Sequence, residues 1–327
     1  MDASERPFHD GMAPMQQDAM GIEAERIKAR VLWYSFMGAM TQQEIAERLG
    51  ITRLRVNRII GQARQDGSVA IDIRVPLASC IELEQRLIKR YELKEATVVP
   101  SMADYQQTRR VVGETAGFAL DRLLEDGRSI GVGWGTTLSI AIRGLRPRRL
   151  QKSWVVALMG GLTRGSGTNT FEVSTELSRA LSASCYYLAA PIYCPDEQSR
   201  DSLLSHYGLS EVIRLASEVD VALVSCGDLS KRSNLVMTPI VESHLPELHE
   251  AGAVGDILGT FIDADGRPVN HPLNRRVLAL TPAGLGGIKD AILTAAGTHK
   301  HAITRAILQG RFINRLIVDE ETALLLL

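Results

Sequence analysis

A chain of 327 residues, 45% hydrophobic and 23% charged, exceeds one ordinary domain and has enough apolar residues for a core without metal or disulfide staples. Its formal net charge of −1 excludes general stickiness toward polyanions. Charge is nonetheless uneven: residues 22–75 hold nine Lys and Arg against six Asp and Glu, a local +3 that leaves −4 elsewhere, as for a small basic module joined to a larger acidic one.

Residues 1–21 are rich in Met, Asp, Gln and Pro, lack periodicity and a signal-peptide core, and read as a disordered tail. A helix is expected from Ile22, with Ile27, Val31 and Tyr34 on one face, until Gly38 stops it. Thr41–Leu49 and Thr52–Arg64 read as two further helices, Asp66-Gly67 as a turn, Val69–Val75 as a short alternating strand and Pro76 as a boundary. Residues 79–92 form an amphipathic helix carrying Ile81, Leu83, Leu87 and Ile88. Short apolar runs then alternate with helical stretches, at 96–99, 129–132, 154–159, 184–190, 219–225, 257–262, 277–280, 292–295 and 313–318. Buried strands alternating with helices predict an α/β chain. Residues 22–76 would be an all-α domain, and residues 77–327 a larger, doubly wound, largely parallel domain for ligand binding and oligomerisation. No apolar run approaches the ~20 residues that cross a bilayer, so the expectation is a cytoplasmic protein without a membrane partner. Cys80, Cys185, Cys194 and Cys226 show no CxxC spacing, so neither a metal site nor a disulfide framework is expected.

The most informative stretch runs from Thr41 to Ile60. Thr41 with Glu44 three residues on makes a capping box, Ala46 is small where two helices cross, and Gly50 suits a sharp turn. Thr52 can cap the next helix, whose Val56 and Ile59 would pack back on Ile45 and Leu49. These constraints together describe a helix-turn-helix, against the blander reading of a solvated helical hairpin. Its outer side would carry Thr52, Arg53, Arg55, Asn57 and Arg58, with Thr41 and Gln42 from the preceding helix. Arginine reads guanine edges or phosphates, Asn pairs with adenine, and no acid occurs from Thr52 through Arg64. Arg53, Asn57 and Arg58 are the expected base readers.

Further along, Gly133-Trp134-Gly135-Thr136-Thr137 lies between an expected strand end and a helix start, where free amides and the helix dipole suit a phosphate. A tight turn needing glycine for shape alone is the competing reading. The glycine spacing does not fit a dinucleotide fingerprint, so NAD is rejected and no cofactor is expected. Lys300 and Arg164 could neutralise an anion, and Asp256, at an expected strand start, could accept sugar hydroxyls or merely cap a turn. His299 and His301 flank Lys300 without metal spacing. Asp263-Ala-Asp265-Gly266 opens like a calcium loop but lacks the later ligands, and reads as a turn. The final Leu324–Leu327 run should pack on its own domain or on a partner subunit.

These motifs, in this order, resemble the SorC family of sugar-responsive transcriptional regulators over nearly all of residues 25–327. The resemblance rests on TQQEIAERLGI at 41–51, GVGWGTT at 131–137, GAVGDILG at 252–259, FIDADG at 261–266 and NRLIVDEETA at 314–323. It implies operator DNA as partner, a dimer or tetramer, and a small, phosphorylated sugar held by the glycine loop, Asp256 and Lys300. Two stretches depart from the family pattern near that pocket, Ala296–Lys300 and Ser225-Cys226-Gly227-Asp228, so Asp228 joins the candidates while the ligand stays open. No catalytic residue is expected. The rival class is a phosphosugar isomerase or lyase with an appended DNA-binding domain, for which Asp256 or Asp228 would have to serve as base. A constitutive DNA-binding protein whose second domain only oligomerises is a third reading.

Overall fold

The computed structural model describes residues 14–66, 68–69, 77–162 and 168–327, in two compact units divided at Arg74–Val75. In the first, α1 (Pro14–Phe36), α2 (Gln42–Leu49) and α3 (Arg53–Gln65) enclose a small core of Val31, Ile45, Ala46, Val56 and Ile60. Helix α1 begins at Pro14 rather than Ile22, and the rest of the expected tail, residues 1–13, lies outside the described residues. The Thr41–Glu44 capping box forms in both directions, and Gly50 closes α2 at φ 63°, a conformation that favours glycine. Thr52 Oγ1 accepts the Arg55 amide at 3.2 Å. The inward pair expected on α3 was Val56 and Ile59. Instead Val56, Ile60 and Ala63 form the buried stripe, the one that faces α1 and α2, and Ile59 sits at its margin. Gly67, Pro76 and the expected strand over Val69–Val75 lie outside the described residues, except Val69, which is not in a strand.

The second unit opens with α4 (Ala78–Tyr91). Its sheet uses β1 (Glu95–Val99), β2 (Ser129–Val132), β3 (Trp154–Ala157), β4 (Ser184–Tyr186), β5 (Val221–Asp228), β8 (Asp290–Ala295) and β9 (Arg315–Asp319), with the hairpin β6 (Ala253–Ile257) and β7 (Thr260–Asp263) appended. The spatial order is β1-β9-β8-β5-β2-β3-β4, every neighbouring pair parallel, and β6 joins the end of β5 antiparallel. Alternation along β5 shows the double winding. Val221 and Leu223 face a core with α5 (Tyr105–Leu123), α6 (Thr136–Arg143) and α7 (Thr170–Leu181), whereas Ala222 and Val224 face α4 and the helices His301–Gln309 and Glu320–Leu326.

Several expected strands resolve differently. The run 257–262 is a reversal between two strands, with Leu258 at φ 51° and Gly259 at φ 78° at the tip. Asp256 is therefore inside β6, not at a strand start. Only Ser184–Tyr186 of the run 184–190 is strand, and the run 277–280 contributes isolated bridges from Val277 and Ala279. Asp263–Gly266 is a turn in which the Asp263 carboxylate accepts the amides of Asp265 and Arg267. In the C-terminal run Leu326 is buried, while Leu324 and Leu325 are exposed.

Two features of this unit position a site. From β2 the chain winds toward β4, and from β5 it winds toward β8, so the direction reverses between these adjacent strands and leaves a crevice at their carboxyl ends. Helices α5 and α6 also pack closely in parallel. A Cβ on Gly113 would lie 3.0 Å from the Thr137 carbonyl, and one on Gly117 would lie 2.5 Å from the Ala141 carbonyl, so only glycine permits the approach. Arg109, one turn before Gly113, is thereby carried to the start of α6.

Candidate functional site

The first unit offers a cationic helix surface. Arg53, Leu54, Arg55, Asn57 and Arg58 are exposed on α3, and the helix contains no acid. Arg48 and Arg64 lie over the rings of Tyr34 and Phe36, at 4.9 and 5.8 Å, and so belong to the unit's own packing. Arg53, Arg55 and Arg58, by contrast, form no ion pair among the described residues. The predicted set is thus only partly free. Thr41 Oγ1 is used twice within the capping box, donating to Glu44 Oε2 and accepting the Glu44 amide. Thr52 Oγ1 caps α3 but keeps its proton available, and Gln42 is half-buried at the first turn of α2.

In the second unit an open cleft sits at the crevice between β2 and β5. Of the candidate effector residues, Gly135, Thr136, Thr137, Asp256 and Lys300 are brought together in its lining. Gly135 has φ 119° and ψ 164°, and a Cβ there would lie 3.2 Å from Ser225 Oγ, so the position requires glycine. Its lack of a side chain leaves α6 without a side-chain cap. The amides of Thr136, Thr137 and Leu138 and the hydroxyls of Thr136 and Thr137 therefore remain unsatisfied among the described residues, at the positive end of a helix dipole.

The polar floor is built from β5 and β6. Asp256 is 4% exposed, and its Oδ2 accepts the Gly259 amide at 3.0 Å. Its Oδ1 occupies the space beside Gly227, where a Cβ would come within 2.3 Å. Burial, helped by the nearby charge of Asp228, pushes the Asp256 carboxyl up to about 7 despite the Gly259 amide and Lys300. Lys300 reaches over the strand end to donate to the Cys226 carbonyl at 2.8 Å. This cation and this carboxyl share the floor without forming a direct ion pair.

Three candidates fall elsewhere. Gly133 is buried in the wall, its amide bonded to the Leu223 carbonyl, so it shapes the loop without lining the cleft. Asp228 lies behind the lining, 7% exposed, with Oδ2 accepting the Ser230 amide and Oδ1 buried without a partner. Arg164 lies outside the described residues. Trp134 and Ser225, from stretches the sequence puts near the pocket, line the cleft too, and it recruits residues that sequence reasoning missed: Tyr105 and Arg109 from α5, and Arg232, Ser233, Asn234 and Leu235 from the loop after β5. Arg109 stacks over Tyr105 at 5.5 Å, and its buried Nε has no partner. Tyr105 meets the edge of His299 at 5.0 Å, and burial holds that imidazole below its ordinary value.

Comparison with known proteins gives a consistent result. Residues 75–327 match the family described as "Putative sugar-binding domain", and residues 26–66 match sigma-70 region 4. The erythritol catabolism regulatory protein EryD of Brucella abortus is 29% identical over 303 residues, covering 91% of this chain and 95% of that protein. The transcriptional regulator LsrR of Klebsiella pneumoniae is 30% identical over 312 residues, covering 93% of each. The full-length sorbitol operon regulator SorC from Klebsiella pneumoniae superposes with a TM-score of 0.72 at 27% identity, covering 93% of this chain and all of that one.

Proposed function

From a chain that belongs to the SorC family of sugar-binding transcriptional regulators, we propose an operon regulator whose α3 enters the major groove of operator DNA and whose cleft binds a phosphorylated sugar or polyol. The observation that carries this reading is the uncapped start of α6 opening into a cleft at the sheet's switch point, in a chain that also bears an unpaired cationic helix.

The phosphate would take the amides of Thr136, Thr137 and Leu138 with the Thr136 and Thr137 hydroxyls, and Arg109, brought alongside by α5, would neutralise it. Hydroxyl groups would reach the floor, where Asp256 accepts and Lys300 donates. Asp228 would act from behind, through its charge on Asp256. Arg53, Asn57 and Arg58 would read base edges, and Arg55, Thr52 and Gln42 would hold the backbone. Two copies of α3 are needed to span adjacent half-sites, so a homodimer or homotetramer is the acting form, working in the cytoplasm with the DNA. Since EryD is an erythritol catabolism regulator and SorC a sorbitol operon regulator, phosphorylated tetritols and hexitols are the first ligands to try.

Thermal unfolding of the full chain with tetritol, pentitol and hexitol phosphates, each beside its unphosphorylated parent, tests the cleft. A binder at a hundredfold excess over its Kd adds about 2.7 kcal/mol to the folded state. Stabilisation by parents and phosphates alike would remove the phosphate from the reading. A second reading has one observation in its favour: a buried carboxyl near 7 beside a lysine is suited to proton abstraction from a sugar carbon. Turnover of the bound sugar phosphate, lost in Asp256→Asn, would establish that enzyme.

A further inference from the structure

Helix α3 carries an apolar side chain that neither its own unit nor the cationic surface explains. Leu54 is 69% exposed at the second residue of the helix, although Val56, Ile60 and Ala63 already complete the buried stripe on the far side. Helical geometry places Leu54, Asn57, Arg58 and Gly61 on one outward stripe, at spacings of three, four and seven. Arg53 and Arg55 fall on either side of it. Gly61 is equally unexplained by the fold: its φ is not positive and a Cβ there would meet nothing within 4 Å. A glycine inside a helix costs stability relative to alanine, so open space on this stripe favours close approach by something outside the unit.

We propose that Leu54 is a specificity-determining residue that packs on the 5-methyl group of a thymine in the major groove. The inference rests on the DNA-binding reading above. Thymine's methyl is the one apolar group among the base edges displayed in that groove, and it is matched by an apolar side chain. On its flanks Arg55 would sit over a phosphate wall and Arg53 would reach a neighbouring base edge, with Asn57 and Arg58 one turn further along the groove floor. One helical turn advances about 5.4 Å, against about 3.4 Å per base pair. The thymine therefore lies within two base pairs of the base taken by Asn57 or Arg58, and Gly61 gives the backbone room to settle there.

The test uses the full-length protein and a duplex selected by it from a randomised pool. Each thymine of that duplex is replaced singly by deoxyuridine, which removes only the methyl. One position per half-site should weaken wild-type binding by about fourfold, the effect expected for one methyl-sized group. In Leu54→Ala the same replacement should make no difference, Leu54→Met should retain the discrimination, and Arg53→Ala should weaken both duplexes equally. The proposal is overturned if no deoxyuridine matters, if the penalty persists in Leu54→Ala, or if that variant instead changes the oligomeric state without DNA. Failure to enrich any duplex would bring down the DNA-binding reading itself.

Discussion

Replacing Asp256 with asparagine tests the physics of the cleft floor most directly. The carboxyl is 4% exposed and raised from an ordinary 3.8 to about 7, because burial penalises its charged form. Asn keeps the acceptor for the Gly259 amide and nearly the same volume beside Gly227, but cannot ionise. The folded chain binds this proton more tightly than the unfolded chain. The site's contribution to stability is therefore complete below about pH 4 and is lost as pH rises toward 7. Fully ionised, the buried carboxylate costs roughly 4 kcal/mol, and between pH 5 and pH 8 Asp256→Asn should gain on wild type by roughly 2–3 kcal/mol. Guanidinium unfolding of both chains by circular dichroism across that range gives the difference, in which other titrations cancel. Two stability curves that stay parallel from pH 5 to pH 8 would refute the argument.

Gly135→Ala should abolish stabilisation by a sugar phosphate while leaving DNA affinity unchanged, since its φ of 119° makes any side chain strained by about 1–3 kcal/mol where the anion would sit; retained ligand response in a thermal-shift titration would contradict this. Arg58→Ala should weaken operator binding about fivefold to 150-fold at fixed salt, with ligand affinity intact; a gel-shift midpoint equal to wild type would defeat the assignment. Thr41→Ala removes the Oγ1 half of the capping box, leaving the backbone amide at 41 on Glu44, and should cost the first unit about 1 kcal/mol, seen as a lower melting temperature for its helices. An unchanged melt would mean the cap contributes nothing there.

The first unit was legible because its constraints are local. Thr41 finds Glu44 three residues on, Gly50 turns the chain where α2 ends, and a helical period assigns inward and outward positions from the residue types alone. Even so, the choice of Ile60 over Ile59 depended on the angle at which α1 and α2 meet α3, which no spacing along one helix specifies. Leu54 is a related case: whether a leucine on this helix is buried is set by neighbours that here lie on its other side.

For the second unit the sequence specified alternating buried strands and helices, and hence a parallel, doubly wound sheet. It also marked the Gly135–Thr137 loop, Asp256 and Lys300. Strand order is a matter of non-local pairing, and only the folded chain decided that β5, far along the sequence, lies beside β2 and opens the crevice there. Arg109 had no motif around it. It became a site residue because glycines at 113 and 117 let α5 lie against α6, a contact between segments that share no local pattern. Local chemistry wrote the loop that suits a phosphate, and tertiary packing supplied the charge beside it.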